Sequence, residues 1–449
     1  MKNNSAGLDK KNILVVFTYS NTGFGHLRVS DALCHSIPEG INYLYFQADS
    51  RIINFLHKFT SIHPVARSIF EWSQNGIQED IFTYFYRFLL RKSSHKLINE
   101  FVSVIKHVKT PVKKIIVIAT HFSIAHQLTF IKDKLEKNLK CKLYIFVQVT
   151  DDSPQHIWYV PKTDVIFVPS KLTKDILTKY GKKANLNKSV IKVIPYPVSR
   201  KLLKKLSQAE FQERIDQYKH IKNKEVNILI PMSGAAVGMK YFEKFALKML
   251  KNNNFRINFI MKDSNSSKGY IEKLKKIKGV FINSNKINTK VVENYESEIQ
   301  NKIYGFEITK PSEQAFKSLI LPNQIGGMIL LFTKAIGRQE YDNLFFLKRH
   351  SLIPLDEMQK YLWSLAKKNI SLPSTKRHKL FKLAKNWRGI RLPNSAKDSV
   401  NFLMWCINNR IFVHMGKYKK PNPKKNKTDE ISSDGVKEFW RSVILSLKD

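Results

Sequence analysis

The run Asn12–Phe17 is apolar at nearly every position and shows no alternation, the pattern of a strand buried on both faces in a parallel sheet. Strands are predicted at Asn12–Thr18, Asn42–Gln47, Ile115–Thr120, Lys142–Thr150, Val165–Pro169 and Val190–Pro195. Helical spacing falls between them. Val29, Leu33 and Ile37 share one face of the stretch after residue 26, and Ser170–Tyr180 carries a capping serine before it and Gly181 after it. Strands separated by helices predict βαβ units. The pattern stops at Pro195-Tyr196-Pro197, and the polar helical stretch Arg200–Lys224 suits a connection. It restarts at Val226–Pro231, with further strands at Phe255–Met261, Val280–Asn283, Gly305–Thr309 and Met328–Thr333. Residues 354–413 read as mostly helical, and the Lys-, Asn- and Pro-rich stretch 417–428 as disordered. The last segment reads as an amphipathic helix with Phe439, Val443, Ile444 and Leu447 on one side. The expected organisation is an α/β domain over 1–200, a connection over 201–225, and a second α/β domain over 226–415. A basic linker over 416–434 and a terminal helix over 435–449 complete it.

Each domain opens with strand, glycine turn and helix. In the first, Thr18–His26 contains Gly23-Phe24-Gly25-His26, so the backbone can approach a ligand and one ionisable ring reaches the sheet's carboxyl edge. In the second, Ser233-Gly234-Ala235-Ala236-Val237-Gly238 precedes a helix. Glycine is scarce, 17 in 449, which makes these clusters more telling. A helix N-terminus carries about half a positive charge and suits a diphosphate, although the same turn can be only a tight βα connection. No Gly-Lys-Ser/Thr follows, so it is not a Walker loop. Thr309-Lys310-Pro311-Ser312-Glu313-Gln314 follows a strand, with Pro311 suited to open a helix. Glu313 there is either a helix cap or an acceptor for ribose hydroxyls. Gln339, Glu340 and Asn343 gather amides and a carboxylate at the start of a helix, an array suited to a sugar or to solvent. Thr120-His121 and Val149-Thr150-Asp151-Asp152 end strands on the edge that carries His26. A histidine and an aspartate there can serve as base and orienting carboxylate or as structural groups, and for His121 a structural or substrate-shaping role is favoured. His156 and Trp158 extend the same loop and would line an acceptor entrance.

The 449 residues are 43% hydrophobic and 12% aromatic, enough for two buried cores. No apolar run approaches the roughly 20 residues that cross a bilayer, and residues 1–5 lack the apolar segment of a signal peptide. Cys34, Cys141 and Cys406 are far apart and form no CxxC, so neither a disulfide framework nor a zinc site is expected. No metal or cofactor is expected, and the setting is expected to be cytoplasmic. The net charge is +41. It is either a bias of a Lys-, Asn- and Ile-rich chain or a means of meeting anionic surfaces. No nucleic-acid-binding signature accompanies it, so no nucleic acid is expected. Within 70–91, Phe82, Tyr84, Phe85, Tyr86, Phe88, Leu89 and Leu90 adjoin Arg87, Arg91 and Lys92. Such a helix suits an interface with anionic lipid, or a buried position with a basic end.

In this order the motifs resemble the monogalactosyldiacylglycerol synthase and processive diacylglycerol glucosyltransferase family, and more distantly the lipid II-forming N-acetylglucosaminyltransferase. The resemblance runs from residue 12 to about 354. It rests on Gly23-x-Gly25-His26 with Ala32-Leu33, on Ala119-Thr120-His121, and most specifically on Val149-Thr150-Asp151-Asp152 through His156 and Trp158 to Asp164-x-x-Phe167-Val168-Pro169-Ser170. Val193–Val198, Ser233–Gly238, Thr309–Glu313 and Gln339-Glu340-x-x-Asn343 continue it. Departures are the glycine-free Lys310-Pro311-Ser312-Glu313, where the family has a Lys-Pro-Gly-Gly-x-Thr loop, together with Arg28 and Asp31 in the first helix. The resemblance implies a GT-B fold, two Rossmann-like domains facing a central cleft, and inverting transfer from a UDP-sugar to a lipid or lipid-linked hydroxyl at an anionic membrane surface. It implies His26 or Asp151 as the base. Donor contacts would come from Ser233, Gly234, Ala235, Gly238, Lys310, Ser312, Glu313, Gln339, Glu340 and Asn343. Acceptor contacts would come from Gly23, Gly25, His121, Asp152, His156 and Trp158. Two rival readings are a UDP-sugar 2-epimerase on the same scaffold and a non-catalytic membrane- or polyanion-binding relative.

Overall fold

The computed structural model describes residues 10–19, 24–47, 72, 74, 76–108, 110–220, 224–232, 234, 237–252, 254–332, 337–418 and 429–447. The chain divides into two compact units, Met1–Ser199 with Thr428–Asp449, and Arg200–Lys427.

In the first unit, strands β1 (Ile13–Tyr19), β2 (Asn42–Gln47), β3 (Lys114–Ala119), β4 (Lys142–Gln148), β5 (Val165–Val168) and β6 (Val190–Val193) form one sheet in the order β2-β1-β3-β4-β5-β6. Every neighbouring pair is parallel. β1 is buried along its whole length, as a run without alternation requires when helices cover both faces. Those helices are α1 (Phe24–Cys34), α2 (Gly76–Lys106), α3 (Phe122–Leu139) and α4 (Lys171–Lys183). Because β2 lies on one side of β1 and β3 on the other, the winding reverses between β1 and β3. The connections leaving their carboxyl ends diverge there, which is where open α/β sheets bind ligands.

The second unit repeats the scheme. Strands β7 (Val226–Pro231), β8 (Phe255–Lys262), β9 (Val280–Asn285), β10 (Phe306–Thr309), β11 (Met328–Phe332) and β12 (Gly389–Leu392) lie in the parallel order β12-β11-β10-β7-β8-β9, with the reversal between β7 and β10. The stretch expected as a connection is part of this unit. In it, α5 (Gln208–Lys219) opens on a Ser207–Glu210 capping box and sends the fully buried Arg214 to the carbonyls of Tyr304, Pro322, Gln324 and Ile325. Helices α6 (Met239–Met249), α7 (Lys268–Lys275), α8 (Asn288–Asn301), α9 (Arg338–Arg349), α10 (Asp356–Lys367), α11 (Ser374–Ala384), α12 (Ala396–Asn408) and α13 (Ile411–Gly416) complete it. Residues 354–413 are mostly helical, as expected, and β12 interrupts them. Four residues that include Arg391 carry too little pattern to read as a strand, and Gly389 is there because a Cβ would come 2.9 Å from the Ile329 carbonyl of β11.

The final helix, α14 (Gly435–Ser446), belongs to the first unit. Trp440 Nε1 donates to the Leu33 carbonyl at the end of α1 (2.9 Å), and Phe439 packs on Phe167 of β5 with ring centroids 4.7 Å apart. Of the face read from the sequence, Phe439, Val443 and Leu447 are in the core and Ile444 is half-buried. Gly435 fits where a Cβ would lie 2.2 Å from the Pro195 carbonyl. These are two doubly wound Rossmann-like domains in one chain, the domain composition of the GT-B class. Among the described residues no helix is long and apolar enough to cross a membrane.

Candidate functional site

At the first reversal, β1 leads into α1 and β3 into α3. Gly23 lies outside the described residues; Gly25 is in the first turn of α1 and His26 follows it, half-buried. His26 Nδ1 lies 2.5 Å from the Thr120 carbonyl. A carbonyl can only accept, so Nδ1 carries the proton and the neutral ring keeps its lone pair on Nε2. Thr120 is itself fixed. Its hydroxyl lies within 3.2 Å of the Thr18 carbonyl, 3.1 Å of the His26 carbonyl and 3.0 Å of Ser30 Oγ, tying β1, β3 and α1 together.

His121 caps α3. Its Nδ1 accepts from the Ser123 amide (3.2 Å) and lies 2.5 Å from Ser123 Oγ, so a neutral His121 carries its proton on Nε2. The two rings meet edge to face, with centroids 4.7 Å apart. One histidine is set to accept at Nε2 and its neighbour to donate there. Thr150, just past β4, extends the cluster: its hydroxyl is 3.5 Å from His26 Nδ1 and 3.5 Å from Asp151 Oδ2, at the outer limit of hydrogen bonding. Tyr196 fixes this turn by donating to the Thr150 carbonyl (3.0 Å). His26, His121 and Asp151 are thus gathered at one point of the edge.

Three other candidates are built into the scaffold. Asp152 Oδ1 accepts from Ser170 Oγ (2.5 Å) and Thr173 Oγ1 (2.8 Å), which ties it to the N-terminus of α4. His156 pairs with Asp80 (2.7 Å) and stacks on Tyr180 at 4.0 Å. Trp158, expected at an acceptor entrance, is instead 0% exposed and packs against Phe122. The cause is non-local. Glu79 Oε1 of α2 accepts from the His156 amide (2.7 Å), while the buried Arg87 donates to the carbonyls of His156 (3.0 Å) and Tyr159 (2.7 Å) and to Tyr180 Oη (2.9 Å). Nearby, the buried His126 donates Nε2–H to the Ile157 carbonyl (2.9 Å), and burial, with the Arg87 charge, pushes its pKa down to about 3.

At the second reversal, β7 leads into α6 and β10 into the 3₁₀ turn Glu313–Leu319. Ser233 and Ala235 lie outside the described residues; Gly234 is half-buried. Gly238 is the N-cap of α6 at φ +87°, where a Cβ would also lie 3.2 Å from Phe242 and 3.3 Å from Phe332. Ser312 takes the N-cap position of the 3₁₀ turn, and the half-buried Glu313 is its first residue. Lys310 forms an ion pair with the buried Glu340 of α9, and the fully buried Asn343 donates Nδ2–H to the Pro311 carbonyl (3.1 Å). Glu340 and Asn343 therefore hold the 310–311 turn to α9, while Gln339 lies half-buried in the first turn of that helix. Deeper in, Lys317 pairs with Glu307 at 2.5 Å, Tyr295 donates to Glu307 Oε2 (2.9 Å), and Lys317 Nζ sits 3.8 Å from the centre of the Tyr295 ring. Among the described residues no group of three or more His, Cys, Asp or Glu is placed to hold a metal ion.

Sequence reasoning named Thr120, Thr150 and Arg87 without giving them these anchoring roles, and it missed the Glu307–Lys317 pair. The two threonines had a signal, since each ends a strand on the edge that carries His26. The others are long-range partners with none.

No protein family and no curated protein matches this chain. Among solved structures it is similar to S. aureus MnaA in a co-structure with UDP, at 10% identity and TM-score 0.48 over 97% of each chain. It is similar to UDP-GlcNAc 2-epimerase from Neisseria meningitidis bound to UDP-GlcNAc, at 9% identity and TM-score 0.48 over 97% of this chain and 100% of that one. It is also similar to MurG of Acinetobacter baumannii, at 10% identity and TM-score 0.45 over 98% of this chain and 100% of that one.

Proposed function

We propose that this protein is an inverting glycosyltransferase that moves a hexose or N-acetylhexosamine from a UDP-sugar to a hydroxyl of a lipid or lipid-linked acceptor, attached peripherally to the inner face of a membrane. The observation that supports it most is the fixed tautomer of His26. With Nδ1–H engaged by the Thr120 carbonyl, Nε2 is the basic nitrogen, at the reversal point of the first sheet. In this reading the acceptor oxygen bonds to the anomeric carbon as Nε2 takes its proton. The bond from that carbon to the UDP oxygen breaks, and UDP leaves with the electron pair. His121, with its proton on Nε2, orients the hydroxyl by donating to the acceptor. Asp151, bridged through Thr150, stabilises the protonated His26. The N-terminal end of α6, opened by Gly238, faces no acidic residue in its own first turn and suits the negative charge on the leaving diphosphate. Glu313 serves the ribose hydroxyls.

Calorimetry with UDP tests the donor half. Glu313→Ala is expected to weaken UDP by about 1.5–3 kcal/mol, the range for hydrogen bonds to a charged group. Unchanged affinity would reduce Glu313 to a cap. Incubation with a UDP-sugar and no acceptor tests the reaction class: a transferase leaves the sugar's stereochemistry intact, whereas an epimerase converts it unaided.

A further inference from the structure

The long helix α2 has two faces with opposite characters. Ile77, Ile81, Tyr84, Phe85 and Phe88 are all between 56% and 77% exposed. At 100° per residue they fall within an arc of about 100°, a continuous apolar stripe of roughly three turns. Arg91, Lys92, His95 and Lys96 are exposed and continue that stripe toward the helix C-terminus. The acidic residues of this part of the helix are elsewhere. Glu79 is buried against the 156 amide, and Asp80 is paired with His156 and with Lys183 (3.0 Å). Beside the stripe, the half-exposed Phe130 of α3 receives the Arg91 guanidinium at 5.8 Å from its ring centre.

An apolar stripe followed by a basic one, with no unpaired carboxylate among them, matches the layering of an anionic bilayer surface: acyl carbon below, phosphate above. A protein partner would meet the same stripe, but the basic continuation and the net charge of +41 favour the lipid surface.

The opposite face of the helix grips the loop that follows Asp151. Glu79, Asp80 and Arg87 take hold of the His156 amide, its ring, its carbonyl and the Tyr159 carbonyl. That is four attachments within a four-residue segment. Burial of Arg87 makes them consequential, since its guanidinium has no carboxylate partner among those bonds and depends on those carbonyls and on Tyr180.

We propose that α2 is a lever between lipid and the acceptor side of the site. Contact of its outer face with an anionic bilayer surface steadies the helix, and its inner face thereby steadies residues 155–159. This rests on the membrane-surface part of the function proposed above and adds a regulation to it: the acceptor loop is held best when the enzyme is on its lipid.

Hydrogen–deuterium exchange of the full chain tests this without needing turnover. The amides of His156, Trp158 and Tyr159, which donate to Glu79 Oε1 and to the carbonyls of Gln155 and His156, are expected to exchange about 5-fold or more slowly with vesicles of mixed phosphatidylglycerol and phosphatidylcholine than without them. Phosphatidylcholine alone is expected to give no change. Phe85→Ser with Phe88→Ser, at exposed positions, is expected to abolish both co-sedimentation and the added protection. Glu79→Gln with Asp80→Asn, on the inner face, is expected to keep co-sedimentation and lose the protection. Binding without any change at 155–159 in the unsubstituted protein overturns the lever. Binding that survives the double serine variant, or that ignores lipid charge, overturns the surface. If the vesicle results hold while UDP fails to bind in calorimetry, the catalytic reading falls and the lever stands.

Discussion

The two sheet edges anchor their polar groups by opposite means. In the first unit, the groups around His26 are held mainly by neutral partners: the Thr120 carbonyl, the Thr150 hydroxyl and the Ser123 amide. In the second, the turn after β10 is held mainly by charge on charge, half-buried Lys310 with buried Glu340 and buried Lys317 with Glu307, beside one neutral bond from Asn343. Neutral anchors fix a tautomer while leaving the ring able to gain and lose a proton. Charged anchors fix a position, because separating them strands a charge away from water. In the function proposed above, the first edge would serve proton transfer and the second would hold the donor in place.

The sharpest way to break that contrast is to remove the ring itself. His26→Ala is expected to lower turnover by about 10²–10⁴-fold and to leave UDP affinity in calorimetry unchanged. Near-normal turnover at saturating substrates would move the base to Asp151. The charged edge is tested by stability. Lys317→Met leaves Glu307 buried without its cation and is expected to cost about 3–5 kcal/mol in urea denaturation, most of which the second substitution Glu307→Leu restores. If the double variant is no more stable than the single one, the pair is not what holds this turn. The smallest effect concerns pH. The folded-state pKa of His126 is depressed to about 3, so between that value and the ordinary 6.5 the unfolded chain binds a proton that the native one does not. The stability His126 contributes is therefore present above pH 6.5 and falls by about 1.4 kcal/mol per pH unit as acid is added below it. His126→Gln should flatten that dependence in denaturation curves measured from pH 7 to 5; an unchanged slope would assign it to other groups.

Most of the fold was legible because its strands are buried on both faces, and apolar runs without alternation such as Ile13–Phe17 and Ile228–Pro231 have few other uses. The clustering of His26, His121 and Asp151 was legible too, as each follows a strand on the same edge. What escaped depends on partners distant in sequence. Trp158 sits among Gln155, His156 and Tyr159, a composition that reads as a surface loop; partners distant in sequence, among them Arg87 and Glu79 about 70 to 80 positions earlier, hold it in the core. Glu340 and Asn343 read as a polar array open to a sugar, because nothing near them in sequence announces Lys310 and Pro311. β12 escaped for want of length.

The return of α14 to the first unit has a consequence for synthesis. Leu33, Phe17 and Phe167 are covered by Trp440 and Phe439, which are translated only after the whole of the second unit. At about 5–20 residues per second, the 229 residues between Ser199 and Asp429 take roughly 10–50 s to translate, and throughout that interval the earlier half of the protein waits with part of its apolar interior unroofed. The second unit is contiguous and can close its own core as it emerges. The order of folding is thus the reverse of the order of synthesis: the half made first is finished last. A nascent chain stalled before residue 429 would present an intact later domain beside a sticky, unfinished earlier one, and it is that species which chaperones must shelter.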